Sequence, residues 1–272
     1  FQWVICLLVI TGGIGFIILN ETYYFWKHYS REAFLLIKYG KPISYLSRST
    51  TANTSIVLVS TSVLLSLGFL LFFLTEANGL LQEHPSWWGK ITTAFFASVT
   101  TRTAGFNTFD MAQLQPSTIL IFLLLMWIGA SPRSTGGGIK TTTFSVAILN
   151  IFSLARGKEH IEYRRRQIPS RSVRRAFAVM LLSLLVIGTS VLLLTLFDPD
   201  KSLTAIAFES FSAFSTVGLS LGITASLSDA SKLTLVVVMF LGRVGTFTLF
   251  VAFIRQARTT KYTYPSEPIF IN

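Results

Sequence analysis

Acidic residues are scarce, 12 Asp and Glu against 23 Lys and Arg, and only 13% of the 272 residues carry charge. Cysteine occurs once, as Cys6 inside an apolar stretch, which excludes a disulfide framework and leaves no redox compartment to read. The histidines, His28, His84 and His160, stand far apart without metal-ligand spacing and read as solvated or interfacial side chains. A membrane-embedded enzyme would need His, Asp or Glu clustered within its spans, and only Glu209 falls in such a place. At the start, Phe1-Gln2-Trp3 has neither a methionine nor a basic leader. It reads as neither a natural start nor a signal peptide, so the chain is expected to be a fragment lacking its upstream part.

What is abundant is apolar. Hydrophobic residues make up 51% of the chain and the mean hydropathy is +0.59, which implies an all-α polytopic membrane protein surrounded by a lipid bilayer. The net charge of +11 raises the question of nucleic acid. Its distribution answers it: the basic residues concentrate in Lys27–Arg48, Arg156–Arg175 and Arg255–Lys261, each following an apolar span and none patterned as a nucleic-acid groove. By the positive-inside rule these segments are cytosolic in a cell-membrane protein, and the connections near Glu76–Lys90 and Asp198–Lys201 lie outside.

The most informative stretch is Lys201–Leu221, where an amphipathic helix too short to cross a bilayer runs into Thr216-Val217-Gly218-Leu219. Extended backbone at membrane depth is tolerated only when wrapped in protein or lining a watery cavity. Its carbonyls can then replace the water around a monovalent cation. Ile91–Thr108 repeats the pattern: Phe95 aligns with Phe208, Thr103 with Thr216, Gly105 with Gly218, Met126 with Met239 and Gly129 with Gly242, every pair 113 positions apart. An ungapped offset of this length marks an internal repeat. Gly12 and Gly15 match Gly242 and Gly245 at an offset of 230, so the opening helix reads as the end of a further unit.

In chain order, residues 1–20 are the last helix of a preceding unit and 21–55 a cytosolic connection with a turn at Gly40-Lys41-Pro42. Residues 56–155 form a helix–pore-loop–helix unit, 156–175 a basic cytosolic loop, 176–256 a second such unit and 257–272 a cytosolic tail. The first pore helix, Trp87–Thr101, is only about 22 Å long and reaches mid-membrane. Thr118–Ser153 as one helix would measure about 54 Å, far more than a hydrocarbon core of about 30 Å. It must break at Gly129–Lys140, where Pro132 and the run Gly136-Gly137-Gly138 resist helix. Arg243 sits about ten residues from either end of the span Leu233–Ile254, where a charge costs at least about 2.5–3.5 kcal/mol. We read it as facing the pore, with Glu209 the nearest carboxylate. Arg102 is expected to anchor its loop, and Lys140 and Arg133 to reach the cytosolic boundary. A phosphate-binding loop is excluded at Gly136–Thr141 because Ile139 separates glycine from Lys140.

Two such units, with Thr-Arg-Thr-Ala-Gly-Phe-Asn at 101–107 and Ser-Thr-Val-Gly-Leu-Ser at 215–220, resemble the Trk/Ktr/HKT superfamily of potassium transporters. Ser131–Lys140 and Gly242-Arg243-Val244-Gly245 make the whole most similar to the membrane subunit of a bacterial Ktr-type system, over its C-terminal half. The resemblance implies four units arranged pseudo-fourfold around one pore, of which this chain holds the third and fourth. It implies potassium as the transported ion, with sodium or a mixture as the alternative, and no organic cofactor. It implies a filter with one glycine per loop, at Thr103, Ala104, Gly105, Thr216, Val217 and Gly218. It implies an intramembrane gate at Gly129, Ala130, Ser131, Gly136, Gly137, Gly138 and Lys140, opposed by Arg243. A homodimer on a cytosolic nucleotide-binding regulatory ring is the implied assembly, with the basic loops as docking surfaces. A tetrameric channel with one pore loop per chain fits two unequal loops poorly.

Overall fold

Two helices are long and apolar enough to cross a bilayer in this computed structural model, which describes residues 1–39, 51–83, 86–158, 160–164, 166–245, 247, 248 and 251. They are α3, Ala52–Glu76, and α7, Ser170–Phe197, of 25 and 28 residues. Before them come α1, Gln2–Ile14, and α2, Phe16–Tyr39. Between them lie α4, Trp87–Thr100, α5, Pro116–Trp127, α6, Thr141–Ala155, and the strands β1, Ile161–Tyr163, and β2, Arg166–Ile168. After them come α8, Leu203–Ser215, and α9, Asp229–Val244.

The starts follow from sequence. Thr51, Ser202 and Ser228 place side-chain oxygens on the amides of Thr54, Ala205 and Ser231 to cap α3, α8 and α9. Pro116 opens α5, where its missing N–H costs nothing. α4 packs on α3 and α8 on both α7 and α9, so each short helix is wedged among longer ones. The two groups meet where α5 lies on α8 and α6 on α7, and α1 lies on α4 much as α5 lies on α8. Phe72, Phe122 and Phe208, all fully buried, fill the space among α3, α5 and α8.

Lipid tails give apolar side chains no reason to leave them, so packing and small polar contacts hold such helices together. Trp127 Nε1 donates to Ser183 Oγ (2.9 Å), Ser98 Oγ to the Leu65 carbonyl (2.8 Å) and Ser190 Oγ to Ser210 Oγ (3.1 Å). The outward faces stay apolar: Leu181, Leu185, Leu192 and Leu196 of α7 are exposed.

The structure adds detail to three expectations. The connection at 21–55 is helical as far as Tyr39, because no Gly or Pro interrupts residues 16–39, and α3 begins at Ala52. The break falls earlier, at Gly15, whose φ of 87° turns α2 away from α1 by 100°. The turn at Gly40-Lys41-Pro42 and the tail from Arg255 lie outside the described residues. The described residues are mostly helical, as the all-α reading expects, with one small addition: β1 and β2 form an antiparallel hairpin within the basic loop, pairing Ile161 with Ile168 and Tyr163 with Arg166. Ile161 is buried, and the Tyr163 hydroxyl meets Ser55 Oγ (2.9 Å) at the start of α3, so packing fixes strands too short to recognise by period. Finally, α9 stops at Val244, where Gly245 takes φ 91°, so Arg243 stands in the last turn of that helix and just before a break in the apolar run.

Candidate functional site: two re-entrant loops and a glycine-rich plug

At the C-terminus of α8, Thr216 adopts a left-handed conformation (φ 52°) and its amide and that of Val217 fold back onto the Ala213 and Ser212 carbonyls (3.0 and 2.9 Å). The chain then leaves the helix, with Gly218 at φ 90°. The loop after α4 has the same backbone: Thr103 stands at φ 60° and Gly105 at φ 72°. Between each pair lies a residue of ordinary φ, Ala104 or Val217. A pleated strand sends successive side chains and carbonyls to alternate faces. Alternating residues of positive and negative φ can instead turn successive peptide groups so that they present the same pole to one side. The carbonyl ends of α4 and α8 point at these loops, and the helix dipole there favours a cation.

The loops lie against each other. A Cβ built on Gly105 would stand 2.1 Å from the Val217 carbonyl oxygen, and one on Gly218 3.8 Å from Gly105 Cα. Val217 and Leu219 turn their side chains into the core beside Phe72 and Phe122, which fixes the loop from behind. In the first loop Thr100 Oγ1 donates to the Phe106 carbonyl (2.7 Å).

The interruption between α5 and α6 is closed at its base. Gly129 N donates to the Ile139 carbonyl (2.9 Å) and Thr141 N to that of Ala130 (3.2 Å), with Trp127, Ile128 and Ile139 buried in the core below α7 and α8. From this base residues 130–140 reach across three structures. Ser131 donates from its amide to the Gly13 carbonyl (3.0 Å) and from its hydroxyl to that of Ile14, using carbonyls that the end of α1 leaves without helical partners. A Cβ on Gly136 would stand 2.5 Å from Thr103 Oγ1, and one on Gly137 2.2 Å from Thr216 Oγ1, so the loop abuts the first residue of both re-entrant loops. Two cations grip it: Lys140 Nζ donates to the Gly136 carbonyl (2.6 Å) and Arg243 to that of Thr135.

Gly105, Val217 and Gly218 are therefore brought into contact, with Thr103, Ala104 and Thr216 beside them in the same loops; Gly136, Gly137 and Gly138 abut these loops and the turn before the second, while Gly129, Ala130, Ser131, Lys140 and Arg243 build or hold the segment that does so. Lys140 curls back onto its own loop instead of extending to a boundary. Arg102 is buried and directs Nη1 at the Gly129 carbonyl (3.5 Å), behind its loop. Glu209 is no partner for Arg243; it accepts from the hydroxyls of Ser220 and, at 3.0 Å, Thr224.

Two carboxylates escaped the sequence reading. Fully buried Glu76, at the end of α3, accepts from Gln115 N (3.0 Å), Thr118 Oγ1 (2.6 Å) and Leu80 N (3.3 Å) and so joins α3 to the start of α5. Asp198, at the end of α7, accepts from Ser228 N (3.1 Å) and Ser228 Oγ (2.9 Å) at the start of α9. Gln115 and Ser228 are 113 positions apart, so both units close their outer corner the same way. A lone carboxylate ending an apolar run was the available signal.

Residues 1–262 match the family model described as "TrkH: Cation transport protein". The chain belongs to the TrkH family of cation transport proteins. It is 35% identical over 268 residues to the Ktr system potassium uptake protein B of Vibrio alginolyticus, covering 96% of this chain and 54% of that protein. It is 34% identical to the potassium/sodium uptake protein NtpJ of Enterococcus hirae, covering 98% of this chain and 56% of that one. The crystal structure of the potassium transporter TrkH from Vibrio parahaemolyticus shares the fold, with a TM-score of 0.63 at 19% identity over 92% of this chain and 51% of that chain. The chain thus spans about half the length of the curated relatives it matches. Family and long apolar helices together place it in a membrane.

Proposed function

We propose that the protein moves potassium across the cell membrane through a pore whose filter includes the main-chain carbonyls of the two re-entrant loops. The observation that carries this is the pairing of two loops with the same alternating left-handed backbone, side by side at the ends of two short helices. Carbonyls so arranged replace the hydration shell of a monovalent cation. Two loops enclose only part of a ring, so the pore is completed pseudo-fourfold by two further units. Residues 130–140, touching both Thr103 and Thr216 and held by Lys140 and Arg243, act as the gate. A mixed potassium and sodium pathway is the second reading, supported by the Enterococcus hirae relative named for both ions. The basic hairpin faces the cytosol and docks a nucleotide-binding regulatory ring beneath a homodimer; β1 packs on α3 and α6 while Arg164 and Arg166 are exposed.

Rubidium and sodium uptake by the full-length protein, as found and as Gly218→Ser, tests the filter: the variant should lose discrimination, and unchanged discrimination would refute it. Deleting Ser131–Gly138 should raise cation flux. Unchanged or lower flux in an inserted, folded deletion would show that the loop is no gate.

A further inference from the structure

The two re-entrant loops share a backbone but not its support. In the first, Thr100 on the last turn of α4 ties down the Phe106 carbonyl, one residue beyond Gly105. The matching position of the second loop, 113 residues on, is Ala213, which has no hydroxyl to do this. Conversely Glu209 lies one helical turn earlier on α8, and its counterpart on α4 is Phe96, packed in an apolar cluster with Cys6, Leu65 and Val99. Glu209 is buried, yet its Oε1 gathers the hydroxyls of Ser220 and Thr224, and Ser220 Oγ in turn accepts from Gly222 N (2.9 Å). Ser220 is two residues beyond Gly218. Each loop thus has one tether just past its glycine, a hydroxyl-to-carbonyl bond in the first and a carboxylate network in the second.

We propose that Glu209 is a positioning residue for ion selection: through Ser220 and Thr224 it sets where the Val217–Gly218 backbone stands. This rests on the filter reading above. A carboxylate serves here because one acceptor oxygen, with its two lone pairs, can hold two hydroxyls at once. The role proposed is one of geometry, because both hydroxyls that reach Oε1 belong to the segment just past Gly218.

The test compares rubidium and sodium uptake by the full-length protein with Glu209→Gln, Glu209→Ala, Ser220→Ala and Gly218→Ser, each normalised to protein in the membrane. Gln keeps an acceptor oxygen, so Glu209→Gln should hold the rubidium-to-sodium ratio within about twofold of the parent, whereas Glu209→Ala and Ser220→Ala should lower it about tenfold, the scale of one bond to a charged group. Should Glu209→Ala fail to accumulate, Ser220→Ala carries the test, because it removes a single hydroxyl from a half-buried position and leaves Glu209 with its bond from Thr224. Parental ratios in both alanine variants overturn the proposal. So does a Glu209→Gln protein that loses apparent rubidium affinity at low salt as fully as Glu209→Ala, which would make the carboxylate an ion attractor. If Gly218→Ser collapses the ratio while the Glu209 and Ser220 variants do not, only the tether fails; if Gly218→Ser is also silent, the filter reading falls with it.

Discussion

Replacing Gly105 by alanine should damage the protein more than the same change at Gly218, although the two occupy equivalent positions. Both have left-handed backbone, φ 72° and 90°, where a Cβ costs about 1–2 kcal/mol. At Gly218 the nearest atom to the new methyl is Gly105 Cα at 3.8 Å, ordinary contact, so the conformational penalty stands alone. At Gly105 the methyl would stand 2.1 Å from the Val217 carbonyl oxygen and 3.2 Å from Gly218 Cα, both backbone atoms that no rotamer change can move. The two loops must part by about 1 Å to restore contact distance, and such overpacking adds about 1–3 kcal/mol. Gly105→Ala should therefore cost about 2–5 kcal/mol. It should also widen the space between the loops, shifting uptake toward less discrimination between rubidium and sodium. Thermal unfolding of the purified full-length variants, followed by paired uptake assays, reads both effects. Equal melting temperatures for the two alanine variants, or a lower one for Gly218→Ala, would refute the idea that the loops touch through Gly105.

The outer corners give two further expectations. Glu76→Leu strands the donors of Gln115, Leu80 and Thr118, each costing about 1–3 kcal/mol if left unpaired, while Glu76→Gln keeps an acceptor and should melt closer to the parent. At the other corner the Ser231 hydroxyl, with the Ser228 hydroxyl and amide and then Lys201, holds the Asp198 carboxyl below the usual carboxylate range against the opposing effect of desolvation. A carboxylate with a depressed folded pKa stabilises above its unfolded value, about 3.9, and loses that contribution as pH falls through the folded value. The melting-temperature gap between parent and Asp198→Asn should thus be present at neutral pH and close only below about pH 4; a gap that closes near pH 6 would refute the assignment.

Backbone demands were legible in the sequence because glycine and proline write them down. The offset of 113 aligned Gly105 with Gly218, and both take positive φ; the offset of 230 aligned Gly15 with Gly245, and both end a helix at φ near 90° with their amides on Thr11 and Leu241, themselves 230 apart. The run Gly129–Lys140 announced a break, and α5 ends at Trp127 and α6 starts at Thr141. Partner choice was not legible. Arg243 is a charge in an apolar run, but that it stands in the last turn of a helix depends on one φ at Gly245. Glu209 was the one intramembrane carboxylate near it in sequence, and the fold spends it on Ser220 and Thr224 instead. Glu76 and Asp198 were hidden because the linker before each pore helix differs in length. Glu76 plus 113 falls at Thr189, well before Asp198, so the offset that exposed the loops concealed their clamps.

That contrast bears on how such a repeat diverges. Left-handed residues at 103, 105, 216 and 218 are set by the position of carbonyls, and a change at any one of them moves an oxygen. The groups that hold those loops answer only to the requirement that something polar reach the segment after the glycine. Thr100 meets it from one turn of its helix and Glu209 from another, and the corner carboxylates meet theirs with a glutamate inside the helix end or an aspartate just past it. A substitution that exchanges supports should accordingly be tolerated where one that alters the loop backbone is not. On the proposed filter reading, exchanges among these supports are where ion discrimination can be tuned without altering the backbone of either loop.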